Sequence, residues 1–250
     1  MERDLERLSM RKMKGSGNYL KNQVRKNLAK AILCVALFCL IFFSVSLSVL
    51  LHLSLSIFDL VGVLLSLVPL AAFYYYLRKY RIYRGGWAGE EQVTNLLSRT
   101  LSDDYLLLNG LYLRDGGGDI DHIVLGPNGV FVLETKNWSG TITCNGDEWQ
   151  RGGRHSFRNS PSLQLKRNVA KIKHIIDSSR SLSSLGVRVE GILVFTNNHA
   201  TLQLKDPTVV ILKLAKLPNY ITTQRNPSDL SSQQVEAIGK EINPQAKRLM

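Results

Sequence analysis

The sequence predicts a mixed α/β fold, a mixed sheet flanked by helices, preceded by a two-helix transmembrane hairpin. Three observations point there. From Ala31 to Leu77 there is no Lys, Arg or Glu and the only acid is Asp59; short strand-like segments follow one another between residues 105 and 150; and amphipathic helical patterns stand on either side of that run.

Residues 1–30 form a basic segment, with nine Lys/Arg against three acids. As one helix, the apolar stretch 31–77 would be about 70 Å long, against a hydrocarbon core of about 30 Å. Two spans, about 31–51 and 57–77, fit better, with His52–Ser56 as a tight outer connection and Asp59 near that interface. A secretory signal is the rival, but its apolar region runs only about 7 to 15 residues. Pro69 is expected to bend the second span, which membrane helices tolerate. Tyr74, Tyr75 and Tyr76 fall where amphipathic rings favour the headgroup zone, just before the basic linker 78–86. Basic flanks assign both ends to the inside. The expectation is an integral membrane protein, in the cell membrane if the source is bacterial, with the N-terminus and the soluble domain cytoplasmic.

Of the net charge of +12, residues 1–30 carry +6 and Asp59 −1, leaving +7 for residues 78–250. A basic soluble part suits nucleic acid or an anionic membrane face. Cys34 and Cys39 lie in the first span and Cys144 stands alone, which excludes a disulfide framework and a Cys-based zinc site.

A domain is expected over 87–222. It opens with a helix, "GGWAGEEQVTNLLSRTL", where Val93, Leu96, Leu97 and Leu101 recur at helical spacing. Strands follow at 105–113, 119–126 and 129–136, the last two joined by a Gly-Pro-Asn-Gly turn. Residues 140–150 suggest a small hairpin through an Asn-Gly turn. After a basic loop, 151–161, Leu165, Val169, Ile172 and Ile176 mark an amphipathic helix. Buried strands are expected at 190–198 and 208–213. Residues 223–250 make a C-terminal helix and tail, capped by Ser228 or Asp229. "DGGGD" (115–119) lacks the context of a phosphate-binding loop and reads as a turn.

The chemistry concentrates in "GDIDHIVLGPNGVFVLETKN", 118–137. Strand side chains alternate, so Asp119 and Asp121 share one face of a strand, and Glu134 and Lys136 share one face of the next. The turn between brings Asp121 and Glu134 within reach of one ion. Mg²⁺ takes one or two carboxylates and leaves the rest of its shell to water and phosphate. The carbonyl of Thr135 is a further candidate ligand, and Lys136 would stand beside bound water or a scissile phosphate. The bland reading of these residues is an ion pair at a strand end.

"GGWAGEEQV", "GDIDHIVLGPNGVFVLETKNWSG", "NSPSLQLKRNVAKIKHII", "GILVFTNN" and "VVILKLAKLPNYI" together resemble the NERD, or nuclease-related, domain over about residues 84–222. That family is similar to the PD-(D/E)XK, restriction-endonuclease-like fold, so the resemblance implies a metal-dependent nuclease core. It places the helix acid on Glu90, the metal aspartate on Asp121, the E-x-K pair on Glu134 and Lys136, and the helix glutamine on Gln164. Glu91 and Asp119 are companions. In related nucleases a tyrosine often follows that glutamine by four positions; here it is Asn168, and Gly118 stands where the motif's proline would be.

The expected roles follow. Glu90, Asp121 and Glu134 hold Mg²⁺, with Mn²⁺ as an alternative; Lys136 assists attack; Gln164 orients substrate. Arg151, Arg154 and Arg158 in the loop, with His155, and Lys166, Arg167, Lys171 and Lys173 on the helix are candidates to track a phosphate backbone. Trp138 and Trp149 either stack on a base or pack on each other. His122 points to the opposite face and packs, and Cys144 belongs to the small hairpin. The substrate is nucleic acid, DNA ahead of RNA. Two other classes stay open: a non-catalytic module binding nucleic acid or anionic lipid, and a membrane-anchored assembly or signalling component.

Overall fold

The computed structural model describes residues 10–14, 19–52, 56–112, 119–153, 155–156, 159–225 and 229–243. The chain divides into two compact units, one of residues 18–87 and one of residues 1–17 with 88–250.

The first unit is built from helix α1 (Tyr19–His52) and the first part of helix α2 (Ile57–Thr100). α2 is continuous through residues 78–86, where a linker was expected. Pro69 is its sole proline, and Gly85 and Gly86 cost some helix propensity without ending the hydrogen-bond ladder. Ser56 and Asp59 cap α2 reciprocally: the Ser56 N–H and hydroxyl donate to the Asp59 carboxylate at 2.9 and 2.6 Å, and the Asp59 N–H donates back to Ser56 Oγ. That explains the lone acid of the apolar stretch. The rest of the expected connection, 53–55, lies outside the described residues. Small or compact residues are buried within the apolar stretches, Ala31 and Cys34 on α1 and Ser66 and Pro69 on α2, while Phe42, Phe43, Phe58 and Leu64 face outward. A Cβ on Gly62 would sit 2.5 Å from Val45 Cγ2, so only glycine allows this approach of the two helices.

The second unit is centred on a six-stranded mixed sheet. β2 (Leu106–Tyr112), β3 (Asp119–Gly126) and β4 (Gly129–Lys136) form the expected antiparallel meander. β8 (Val189–Phe195) runs parallel to β4, and β10 (Val210–Lys213) parallel to β8. At the other edge is a strand the sequence did not announce: β1 (Arg11–Lys14) pairs in parallel with β2, Arg11 opposite Leu106. The pairing is carried by main-chain groups, and Met10 is buried beside it with Val93, Leu97 and Tyr105.

Alternation divides the sheet's side chains. Leu106, Leu108, Ile123, Leu125, Val130, Val132 and Leu193 face helix α3 (Pro161–Ser178) and helix α5 (Ser232–Ile242). Leu107, Val124, Phe131, Leu133, Ile192 and Val194 face the C-terminal part of α2 and the short helix α4 (Leu217–Thr223). Both faces are therefore covered, as a buried mixed sheet requires. Ser231 caps α5 in a full capping box, which moves the cap from Ser228 or Asp229, and Val235, Ile238 and Ile242 of α5 sit in the common core.

A second, four-stranded sheet in the order β7-β6-β5-β9 contains the expected hairpin, β5 (Gly140–Asn145) and β6 (Glu148–Arg151), turning at Gly146 with φ of 59°. The short β7 (His155–Ser156) and the unforeseen β9 (Ala200–Lys205) flank it. The Gly-rich segment 115–118, read as a turn, lies outside the described residues.

Candidate functional site

The register that pairs His122 with Leu133 sets Asp121 beside Glu134 at the C-terminal end of β4. Asp119 and Asp121 are half-buried while Ile120 and His122 are buried, the alternation expected of β3. The two acids thus share the α3 side of the sheet. His122 faces away, held at Nδ1 by Asn109 Oδ1 at 2.9 Å, and its burial pushes its pKa down to about 3. It carries no charge at neutral pH and takes no part in the site.

Four side chains meet around Glu134. Lys136 Nζ donates to Glu134 Oε1 at 2.5 Å, and Gln164 Nε2 of α3 donates to Glu134 Oε2 at 3.0 Å. The Thr135 N–H donates to Asp121 Oδ2 at 2.7 Å, which fixes that carboxylate against β4. Thr135 thus contributes its amide to the site, a role beside that of its carbonyl, the expected candidate ligand. Glu90 arrives from α2, in the second unit and thirteen residues past the predicted span. Its neighbour Gly89 makes this approach feasible: a Cβ there would lie 2.9 Å from Thr196 Oγ1 and 3.0 Å from Asn137 Cβ.

The electrostatics agree with the geometry. Burial first, then Glu134 and Asp119, pushes the Glu90 carboxyl up to about 7, against the pull of Lys136. Burial, then Glu134 and Glu90, holds Asp121 well above the usual carboxylate range. Glu134 is raised by burial although Lys136 and Gln164 favour its ionised form. For Lys136, burial disfavours the ammonium but Glu134, Asp121 and Glu90 outweigh it, so its pKa is raised and it stays charged. Three carboxyl groups that resist ionisation together, beside one cation, form a site that gains from further positive charge.

Among the described residues, no three His, Cys, Asp or Glu side chains are gathered closely enough to cage an ion by themselves. The donor set matches the sparser mode, in which a hard cation takes one or two carboxylates and keeps its waters. Glu134 would have to release Lys136 to serve it.

Two features were not foreseen. Lys136 Nζ lies 5.7 Å from the centroid of Trp138, which stands edge-on to Phe195 at 6.1 Å. Asn168, one turn after Gln164, is buried with neither amide atom hydrogen-bonded among the described residues. Trp138 and Trp149 each pack on Phe195. Trp149 is 1% exposed and bonded to Ser162, so it cannot stack on a base.

The basic candidates separate. Arg151 binds the Ser139 carbonyl and hydroxyl. Lys166 pairs with Asp147 at 2.8 Å and, with Thr208, holds that carboxyl down to about 2, pinning the tip of the β5–β6 hairpin to α3. Lys173 pairs with Asp177 one turn on. Arg167 is exposed and Lys171 half-buried, and at three and seven positions after Gln164 they continue its side of α3. Arg154, Arg158 and the side chain of His155 lie outside the described residues.

Residues 85–196 match the family model of the nuclease-related domain, NERD, a span that contains Glu90, Asp121, Glu134, Lys136 and Gln164. An uncharacterized protein of Bacillus anthracis is 35% identical over 100 residues, covering 37% of this chain and 47% of that protein, so the alignment spans about half the length of the relative. No solved structure matches this chain.

Proposed function

We propose that this protein is a membrane-anchored, metal-dependent nuclease that hydrolyses phosphodiester bonds, DNA ahead of RNA, on the cytoplasmic side. One observation carries the reading: Asp121, Glu134, Lys136, Gln164 and Glu90 converge at one end of the sheet, inside the segment similar to a nuclease-related domain.

Asp121 and Glu134, with Glu90 near them, would hold Mg²⁺ or Mn²⁺, which when bound would lower the pKa of water and neutralise charge on the phosphate. The chain's own residues supply the rest. The Thr135 amide keeps Asp121 in place, and Gln164 fixes the orientation of Glu134. Lys136, charged throughout the neutral range, is the donor to a non-bridging phosphate oxygen as negative charge grows there. Arg167 and Lys171, with no ion-pair partner among the described residues, are the groups on α3 best placed to meet the backbone of the same strand.

The anchoring rests on α1 and α2. Only 6% and 11% of their most apolar stretches are buried, whereas a core helix of a soluble protein would hide them. The pairing of β1, before α1, with β2, after α2, supports an even number of crossings between them. The basic flanks support the cytoplasmic side.

One observation favours a second reading, a nucleic-acid-binding module without catalysis: Glu134 is already satisfied by Lys136 and Gln164. Isothermal titration with Mg²⁺ and Mn²⁺ separates the two. The nuclease reading expects binding that Asp121→Ala and Glu134→Ala abolish; the module reading expects none in any variant.

A further inference from the structure

The hairpin ends in a collar of positive charge that the proposed nuclease site does not use. There is no Asp or Glu between residues 19 and 58 or between 60 and 89. On the helical turns flanking the apolar stretches stand Lys26 and Lys30 of α1 and Arg78, Lys79, Arg81 and Arg84 of α2. α1 and α2 run antiparallel here, so both sets gather at one end: Tyr19 meets Tyr83 edge-on at 6.5 Å, and Lys30 Nζ lies 5.2 Å from the centroid of Tyr76. Lys79 Nζ lies 4.6 Å from the centroid of Tyr75, and Tyr75 and Tyr76 contact each other edge to face at 5.2 Å.

We infer that this collar binds anionic phospholipid headgroups, so that the hairpin selects acidic lipid as well as spanning the bilayer; the inference rests on the anchoring reading above. An ammonium over a tyrosine face is held at the depth of the ring. Tyrosine at the end of a span sits at headgroup level. The pairs Lys30–Tyr76 and Lys79–Tyr75 therefore set two cations in the plane of lipid phosphates, and Arg78 and Arg81 add guanidinium groups able to bind a phosphate through two N–H donors. No acid stands on α1, or on α2 between residues 60 and 89, to compete with the lipid for these cations. Nucleic acid offers the same phosphate chemistry, but a site continuous with the apolar stretches lies where a bilayer would bring lipid first.

The test uses the full chain reconstituted into phosphatidylcholine vesicles containing a minor share of phosphatidylglycerol. The protein is re-extracted in mild detergent, and the lipid it carries is quantified by mass spectrometry. The expected result is phosphatidylglycerol enriched over its bulk share by about fivefold or more, the order that a single well-placed cation supplies. K30Q/R78Q/K79Q should return it to the bulk share. Y75L/Y76L should lower it, and Y75F/Y76F should preserve it because the ring face remains. Bulk share in the wild type overturns the proposal. So does a triple variant that loses duplex DNA binding while keeping lipid enrichment, which would make the collar a nucleic-acid surface. Release of the wild type from vesicles by alkaline carbonate ends the anchoring reading and the proposal with it, whereas stable insertion without enrichment ends the proposal alone.

Discussion

Glu134 is the residue on which the site turns, because both of its oxygens are engaged and its partners come from two elements. Gln164→Leu leaves Oε2 without its donor while preserving bulk. The expected outcome is a fall in kcat of about 10- to 100-fold, as for other residues that orient a ligand, with a loss of about 1–3 kcal/mol of stability from the buried acceptor left unpaired. The carboxyl cluster also makes a signed prediction about pH. Glu90, at about 7, and Asp121 and Glu134, also raised, bind protons more tightly folded than unfolded. The cluster's contribution to the stability of the metal-free protein should therefore fall as pH rises from the ordinary carboxylate range through about 7, whereas burial of the neutral His122 ring works the other way below about 6.5, so between pH 5 and pH 8 the wild type should lose more stability than Glu90→Gln. Thermal melts in EDTA across that range check it, and saturating Mg²⁺ should shrink the difference, since a bound cation favours the ionised form. The acids were legible in the sequence because strand alternation alone puts Asp121 and Glu134 on shared faces. The Trp138 ring beside Lys136 and the buried Asn168 were not, because those positions depend on where β4 ends and how α3 lies on the sheet.

At the scale of elements, the approach of α2 to the sheet depends on Gly89. Gly89→Ala forces a Cβ against Thr196 Oγ1 and Asn137 Cβ, neither a flexible chain end. It should destabilise by about 1–3 kcal/mol. It should also displace Glu90, lowering activity in protein that remains folded; denaturant melts and cleavage rates on the same samples separate the two effects. Strand β1 carries a second prediction. Deleting residues 1–17 uncovers the β2 edge and the cluster that buries Met10, so the truncated chain should melt lower and aggregate more readily than the full chain. The meander was readable because β2 is a short apolar run and β3 and β4 carry β-branched residues on either side of Gly-Pro-Asn-Gly. β1 was hidden because "RKMK" is basic and pairs through its main chain, and β9 because "ATLQLK" is short, with mostly exposed side chains that impose no apolar pattern. The continuity of α2 was hidden by its charge: a basic, Gly-containing stretch looks like a linker until the helix on each side is seen to run through it.

For the whole molecule, the proposal joins a hairpin whose apolar side chains face outward to a domain whose acids face one another. The overall class, a mixed sheet covered by helices behind two apolar helices, could be read from hydropathy and strand patterning, because both are properties of long segments. The most direct test of the central claim is cleavage of labelled single- and double-stranded DNA and RNA by the full-length protein in Mg²⁺, Mn²⁺ or EDTA, beside Asp121→Ala and Lys136→Ala. The proposal predicts cutting that requires the metal and falls by at least about 100-fold in both variants, the scale of losing a group that stabilises transition-state charge. Folded wild-type protein that cuts none of these substrates, or variants that cut as well as it does, would contradict the nuclease assignment.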